Sequence, residues 1–128
     1  MPTLADIMTK DVFTTSPGTP VAEVAASMVR GRFGSAMVMQ GPLLLGILTE
    51  RDVLRAAASG KDLTASTASD WMTRDPETAT PDIDAEEAAA TMLSKGFRHL
   101  PVCDDNGLVG IVSLRDVLSA RIGRRVPE

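Results

Sequence analysis

A chain of 128 residues is long enough to enclose a core without disulfides or metal, and one compact unit is expected; its single cysteine, Cys103, excludes an internal disulfide and a cysteine-built zinc cluster. The formal net charge of −4 argues against a nucleic-acid backbone as partner, because phosphate binding draws on a basic surface. No run approaches the ~18–20 apolar residues that span a bilayer, and the opening MPTLADIMTKDVF has no basic segment leading an apolar one, so membrane insertion and secretion are not expected and the cytoplasm is the expected location.

In chain order, a turn at Met8-Thr9 leads to a short extended piece over 12–15 and then a proline-containing turn. Residues 20–30 read as an amphipathic helix, with Val21, Val24, Ala25 and Met28 at helical spacing, Pro20 in the first turn and an end near Gly31. Apolar runs over 36–39 and 43–48, separated by Gly41-Pro42, read as a hairpin. A helix over 50–58 follows, with Thr49 as its N-cap. The Ala-, Ser- and Thr-rich stretch after it reads as a linker.

The same order then recurs: an extended piece over 77–80, a helix over 84–94 ending near Gly96, strands over 100–103 and 108–112 around Asp104-Asp105-Asn106-Gly107, and a helix over 114–122 capped by Ser113. A shift of 64 positions superimposes 6–54 on 70–118 without a gap and gives 19 identities in 49 positions. Unrelated stretches of average composition share roughly 6% of positions, about three here, so the chain is an internal duplication. The expected architecture is α+β: two tandem repeats, each strand-helix-strand-strand-helix, packed as a pseudo-twofold pair with clefts between the halves. The boundaries drawn are 1–60 for the first repeat, 61–69 for the linker, 70–122 for the second repeat and 123–128 for a basic tail.

In each copy a glycine, apolar residues, a hydroxyl and an aspartate join the last strand to the last helix: Gly46-Ile47-Leu48-Thr49-Glu50-Arg51-Asp52 and Gly110-Ile111-Val112-Ser113-Leu114-Arg115-Asp116. With the element order and repeat length, these motifs resemble the CBS domain, over nearly the whole chain. The resemblance implies a tandem pair, often called a Bateman module, that catalyses nothing and binds AMP, ADP, ATP or S-adenosylmethionine between its repeats. Such a pair regulates a partner protein, here not named by the sequence, and needs no cofactor beyond that regulatory ligand.

The chemistry of the junction suits such a ligand. Thr49 and Ser113 place a hydroxyl beside the unpaired N–H groups of a helix start, where the macrodipole favours an anion. Asp52 and Asp116, three residues on, can accept hydrogen bonds from both vicinal hydroxyls of a ribose. The plain alternative is that both pairs only cap helices, and the two roles are compatible. Arg51 and Arg115 can reach phosphate oxygens with a planar donor fork.

By the resemblance, Arg98 and His99 face the phosphate end of a ligand held by Ser113 and Asp116, with Met8, Val12, Phe13 and Thr14 lining the base. Gly34 and Ser35 replace the basic pair in the first copy, and Glu77 replaces Phe13 in the second, so the clefts are not equivalent. The expected binding set is Ser113, Arg115, Asp116, Arg98, His99, Met8, Val12, Phe13, Thr14, Gly34 and Ser35, and Thr49, Arg51 and Asp52 form a weaker second site.

Three rivals carry less. An enzyme would need converging groups, whereas His99 and Cys103 on one strand stand roughly 13 Å apart at ~3.3 Å per residue, and one His with one Cys closes no metal site. Single-stranded nucleic acid at Arg121, Arg124 and Arg125 lacks stacking surface, with three Phe, one Trp and no Tyr in the chain. A structural adaptor with degenerate clefts is the alternative that the sequence leaves open. The wide apolar stripe on the amphipathic helices points to a homodimer.

Overall fold

The structure, a computed structural model, describes residues 2–123. Its elements in chain order are α1 (Leu4–Ile7), β1 (Thr14–Thr15), α2 (Val21–Gly31), β2 (Ser35–Gln40), β3 (Leu43–Thr49), α3 (Glu50–Ala58), α4 (Ala68–Trp71), β4 (Thr73–Arg74), α5 (Ala85–Lys95), β5 (His99–Asp104), β6 (Gly107–Ser113) and α6 (Leu114–Ile122). The α+β class and the two repeats of helices and strands are as the sequence indicates. Arg124 and Arg125 of the expected basic tail lie outside the described residues.

Helix boundaries follow local chemistry. α5 is capped by Asp84, whose carboxylate accepts from the N–H groups of Glu86 and Glu87 at 3.1 and 3.3 Å and so satisfies two groups that a helix start leaves open. α2 is preceded by Pro20, which offers no side-chain cap; the N–H groups of Val21 and Ala22 instead donate to the carbonyls of Ser66 and Leu63 at 2.8 and 3.0 Å.

The stretch read as a linker, 61–69, is therefore held against the start of α2, and its far end enters the short helix α4, where Ala68 is fully buried. At its other end α2 stops at Gly31, as the sequence indicates, and the residue after it, Arg32, takes the left-handed conformation (φ 57°) that Gly96 takes after α5 (φ 78°). Gly31 serves a different purpose: a Cβ there would stand 2.3 Å from the Phe33 ring.

β2 and β3 form an antiparallel hairpin, β1 runs parallel beside β2, and β4 runs antiparallel beside β3, in the order β1-β2-β3-β4. β5 and β6 repeat the hairpin, with a register shift between Val102 and Cys103 that matches the one between Val38 and Met39. The second sheet is flanked by isolated bridges rather than named strands: Ala79 lies parallel to Val102 and Thr9 antiparallel to Ile111.

Thr9 on Ile111 and Thr73 on Ile47 are the same pairing under the 64-residue shift, with the copies exchanged. The opening Met-Thr segment of each copy thus completes the sheet built by the hairpin of the other. It is an extended edge, preceded by the short helices α1 and α4, where the sequence suggested only a turn.

Where length suggests one compact unit, two are found, and they are not contiguous in sequence. One consists of the described residues through Asp11 together with those from Glu77 onward; the other is Val12–Pro76. Each has its own buried cluster. Leu4, Met92, Leu100, Val102, Val112 and Val117 anchor the first, and Val24, Met28, Val38, Leu48, Ala68 and Met72 the second. The exchanged opening segment supplies Leu4 to one core and Met72 to the other, which is why each unit closes around its own interior. Among the described residues no helix is long and apolar enough to cross a membrane.

Candidate functional site

Each hairpin ends where the next helix begins, and that junction gathers most of the residues singled out from the sequence. In the second copy the Ser113 N–H donates to the Asp116 carboxylate at 2.8 Å, and the Asp116 N–H donates back to the Ser113 hydroxyl at 3.0 Å. In the first copy the Thr49 N–H and hydroxyl donate to Asp52 Oδ2 at 3.0 and 3.1 Å, and the Asp52 N–H returns to Thr49 Oγ1 at 3.2 Å. These are reciprocal capping boxes, so each Ser/Thr and Asp does form the helix cap of the plain alternative.

The neighbouring strand closes the same corner. The carbonyls of Gly34 and Arg98 accept from the first helical N–H of α3 and α6, Glu50 and Leu114, at 3.1 and 3.0 Å. Across the hairpins Ser35 stands opposite Thr49, and His99 opposite Ser113. Arg98, His99, Ser113, Arg115 and Asp116 therefore meet at one end of β5 and β6, in one unit. Met8 belongs to that unit and packs on Gly110, where an added Cβ would meet its sulfur at 2.7 Å.

The remaining expected residues lie in the other unit. Gly34, Ser35, Thr49, Arg51 and Asp52 occupy its matching corner, and Ser35 and Asp52 are buried, at 7% and 4% exposure. Val12, Phe13 and Thr14 lead into and begin β1; the Phe13 ring is stacked on Phe33, with centroids 5.2 Å apart, and packs against the core of its own unit.

The two corners differ in a way that the shared motif does not reveal. Arg55 Nη1 donates to Asp52 Oδ1 at 3.2 Å, and its guanidinium lies 5.7 Å from the centroid of the Trp71 ring. The position matching Arg55 in the second copy is Ser119, which carries no charge. Half of this signal stood in the sequence, as an Asp and an Arg three apart on a helix. The contribution of Trp71, from a different helix, did not.

His99 and Cys103 stand at opposite ends of β5. Burial, helped by the Asp104 charge, pushes the Cys103 thiol up and keeps it protonated, the reverse of what a nucleophilic thiolate needs. A groove of about 490 Å³ opens beside Cys103, lined among others by Glu77, Thr80, Glu87 and Asp105, and includes neither Ser113 nor Asp116. Among the described residues no group of His, Cys, Asp and Glu is placed to hold a metal ion.

Comparison with known proteins matches the CBS domain to residues 4–59 and 68–123. The CBS domain-containing protein YhcV of Bacillus subtilis is 36% identical over 118 residues, spanning 91% of this chain and 84% of that protein. An inosine-5'-monophosphate dehydrogenase of Methanocaldococcus jannaschii is also 36% identical over 118 residues, but these make up only 23% of its length. Among solved structures, the CBS domain pair of protein MJ0100, in complex with 5'-methylthioadenosine and S-adenosyl-L-methionine, aligns with a TM-score of 0.88 at 26% identity, covering 96% of this chain and 98% of that one.

Proposed function

Because this chain belongs to the CBS domain family, as two such domains in tandem, we infer that it is a regulatory module that takes an adenosyl ligand at the Asp116 corner and acts through a partner protein. The observation that carries this is the convergence of Arg98, His99, Ser113 and Asp116 on one helix start. A carboxylate that caps its helix through Ser113 is held in place to receive a ribose diol, and the cationic and imidazole groups beside it suit a phosphate or carboxylate at the ligand's other end. The adenosyl ligands held by the MJ0100 pair, 26% identical, support the same ligand class here.

The test is thermal melting with AMP, ADP, ATP, S-adenosylmethionine and NAD in turn. A ligand at 100 times its dissociation constant stabilises the folded chain by about 2.7 kcal/mol, so at least one adenosyl compound raises Tm. No shift with any of them at millimolar concentration would overturn the assignment and leave the adaptor as the better description.

The module self-associates in this reading. Val29 and Leu93, and likewise Leu54 and Leu118, are repeat-related pairs on helix surfaces, exposed by 79%, 69%, 70% and 54%. Duplication has kept large apolar side chains at the same exposed positions twice, and a second copy of the chain is the partner that removes them from water. A dimer mass is expected in light scattering at micromolar concentration; a monomer mass refutes the association.

A further inference from the structure

We propose that Arg55 is a specificity-determining residue that keeps the Asp52 corner closed to a ribose, so that each chain takes its adenosyl ligand at Asp116 alone. This rests on the ligand assignment made above and adds to it the device that makes the two corners unequal. To read a vicinal diol, an aspartate must offer carboxylate lone pairs as acceptors. At Asp52 three of the roughly four acceptor sites of a carboxylate are taken, too many to leave two for a diol: Oδ2 accepts from the Thr49 N–H and hydroxyl at 3.0 and 3.1 Å, and Oδ1 accepts from Arg55 at 3.2 Å.

The guanidinium is held from a second side by the Trp71 ring, 5.7 Å from its centroid, and a cation over an indole face is attracted by the ring quadrupole. A ribose entering this corner must break an ion pair to a carboxylate that is only 6% exposed and lift the cation off its ring. At the Asp116 corner the matching side chain is the short, uncharged Ser119, which can form neither an ion pair nor a cation–π contact. The Arg55 side chain is itself 61% exposed, so shortening it opens the corner without emptying the core.

The test is calorimetric titration of AMP into the wild-type chain, into Arg55→Ser, which copies the second repeat, and into Arg55→Met, which keeps an aliphatic stem over Trp71 and guards against a folding defect in the serine variant. The wild type is expected to bind one AMP per chain and both variants two, with the added site lost again when Asp52→Ala is combined with Arg55→Ser. Two sites in the wild type, one site in every chain, or an added site that survives Asp52→Ala would each overturn the role of Arg55 while leaving the ligand assignment in place. No heat with any chain, and none when S-adenosylmethionine replaces AMP, would remove the ligand assignment and this inference with it.

Discussion

Gly46→Ala is expected to destabilise the protein by about 2–3 kcal/mol, near the upper end of what overpacking a close contact costs, and Gly110→Ala by less, about 1–2 kcal/mol. A Cβ on Gly46 would stand 2.6 Å from the backbone carbonyl of Thr73 and 2.7 Å from the Met72 sulfur. The carbonyl cannot step aside, because β4 is pinned to β3 at Gly46–Arg74 and Ile47–Thr73, and Met72 is a buried member of that core.

On Gly110 the tightest contact is the Met8 sulfur at 2.7 Å, the far part of a flexible and only half-buried side chain, and the Thr9 carbonyl is farther away at 3.0 Å. Denaturant titration of both variants measures the difference. Equal losses, or a neutral Gly46→Ala, would show that the opening segments do not press on these glycines as the structure has them.

The second large effect concerns affinity. Asp116→Ala is expected to weaken binding of the adenosyl ligand by about 10- to 150-fold, the equivalent of ~1.5–3 kcal/mol for a lost charge-assisted hydrogen-bond partner. Asp52→Ala is expected to leave affinity nearly unchanged and to lower stability instead, by about 1 kcal/mol for the lost cap, because its carboxylate serves Thr49 and Arg55. Calorimetry for affinity and denaturation for stability separate the two variants. Equal losses of affinity would mean that both corners bind and that the asymmetry is absent.

What the chain makes legible is what its neighbours in sequence decide. The capping boxes at Thr49–Asp52 and Ser113–Asp116 span three residues, so hydroxyl, carboxylate and helix start can be read together. The same holds for the hairpin turns and for the period of α2 and α5. The gathering of Arg98 and His99 beside Ser113 is nearly as local, since a short hairpin turn fixes which residues face each other.

Arg55 was half legible, because its pairing with Asp52 is intrahelical, while the ring that holds it comes from Trp71 on another helix. Gly31 does end α2, but not as its left-handed cap. A glycine at a helix end suggests a left-handed cap, but here the cap is Arg32, and the missing Cβ makes room for Phe33.

The sequence by itself determined the duplication, the order of helix, hairpin and helix within each repeat and the two hydroxyl–aspartate helix starts, because these rest on composition, period and contacts a few residues long. Only the tertiary structure decided that the opening Met-Thr segment of each copy belongs to the sheet of the other, that the chain therefore encloses two cores, and that Gly46 and Gly110 face those segments. Met8 and Gly110 sit near opposite ends of the chain, and no local preference couples them. They meet because each hairpin leaves a sheet edge whose backbone hydrogen bonds must be satisfied, and the partner that satisfies them is the distant copy of the segment.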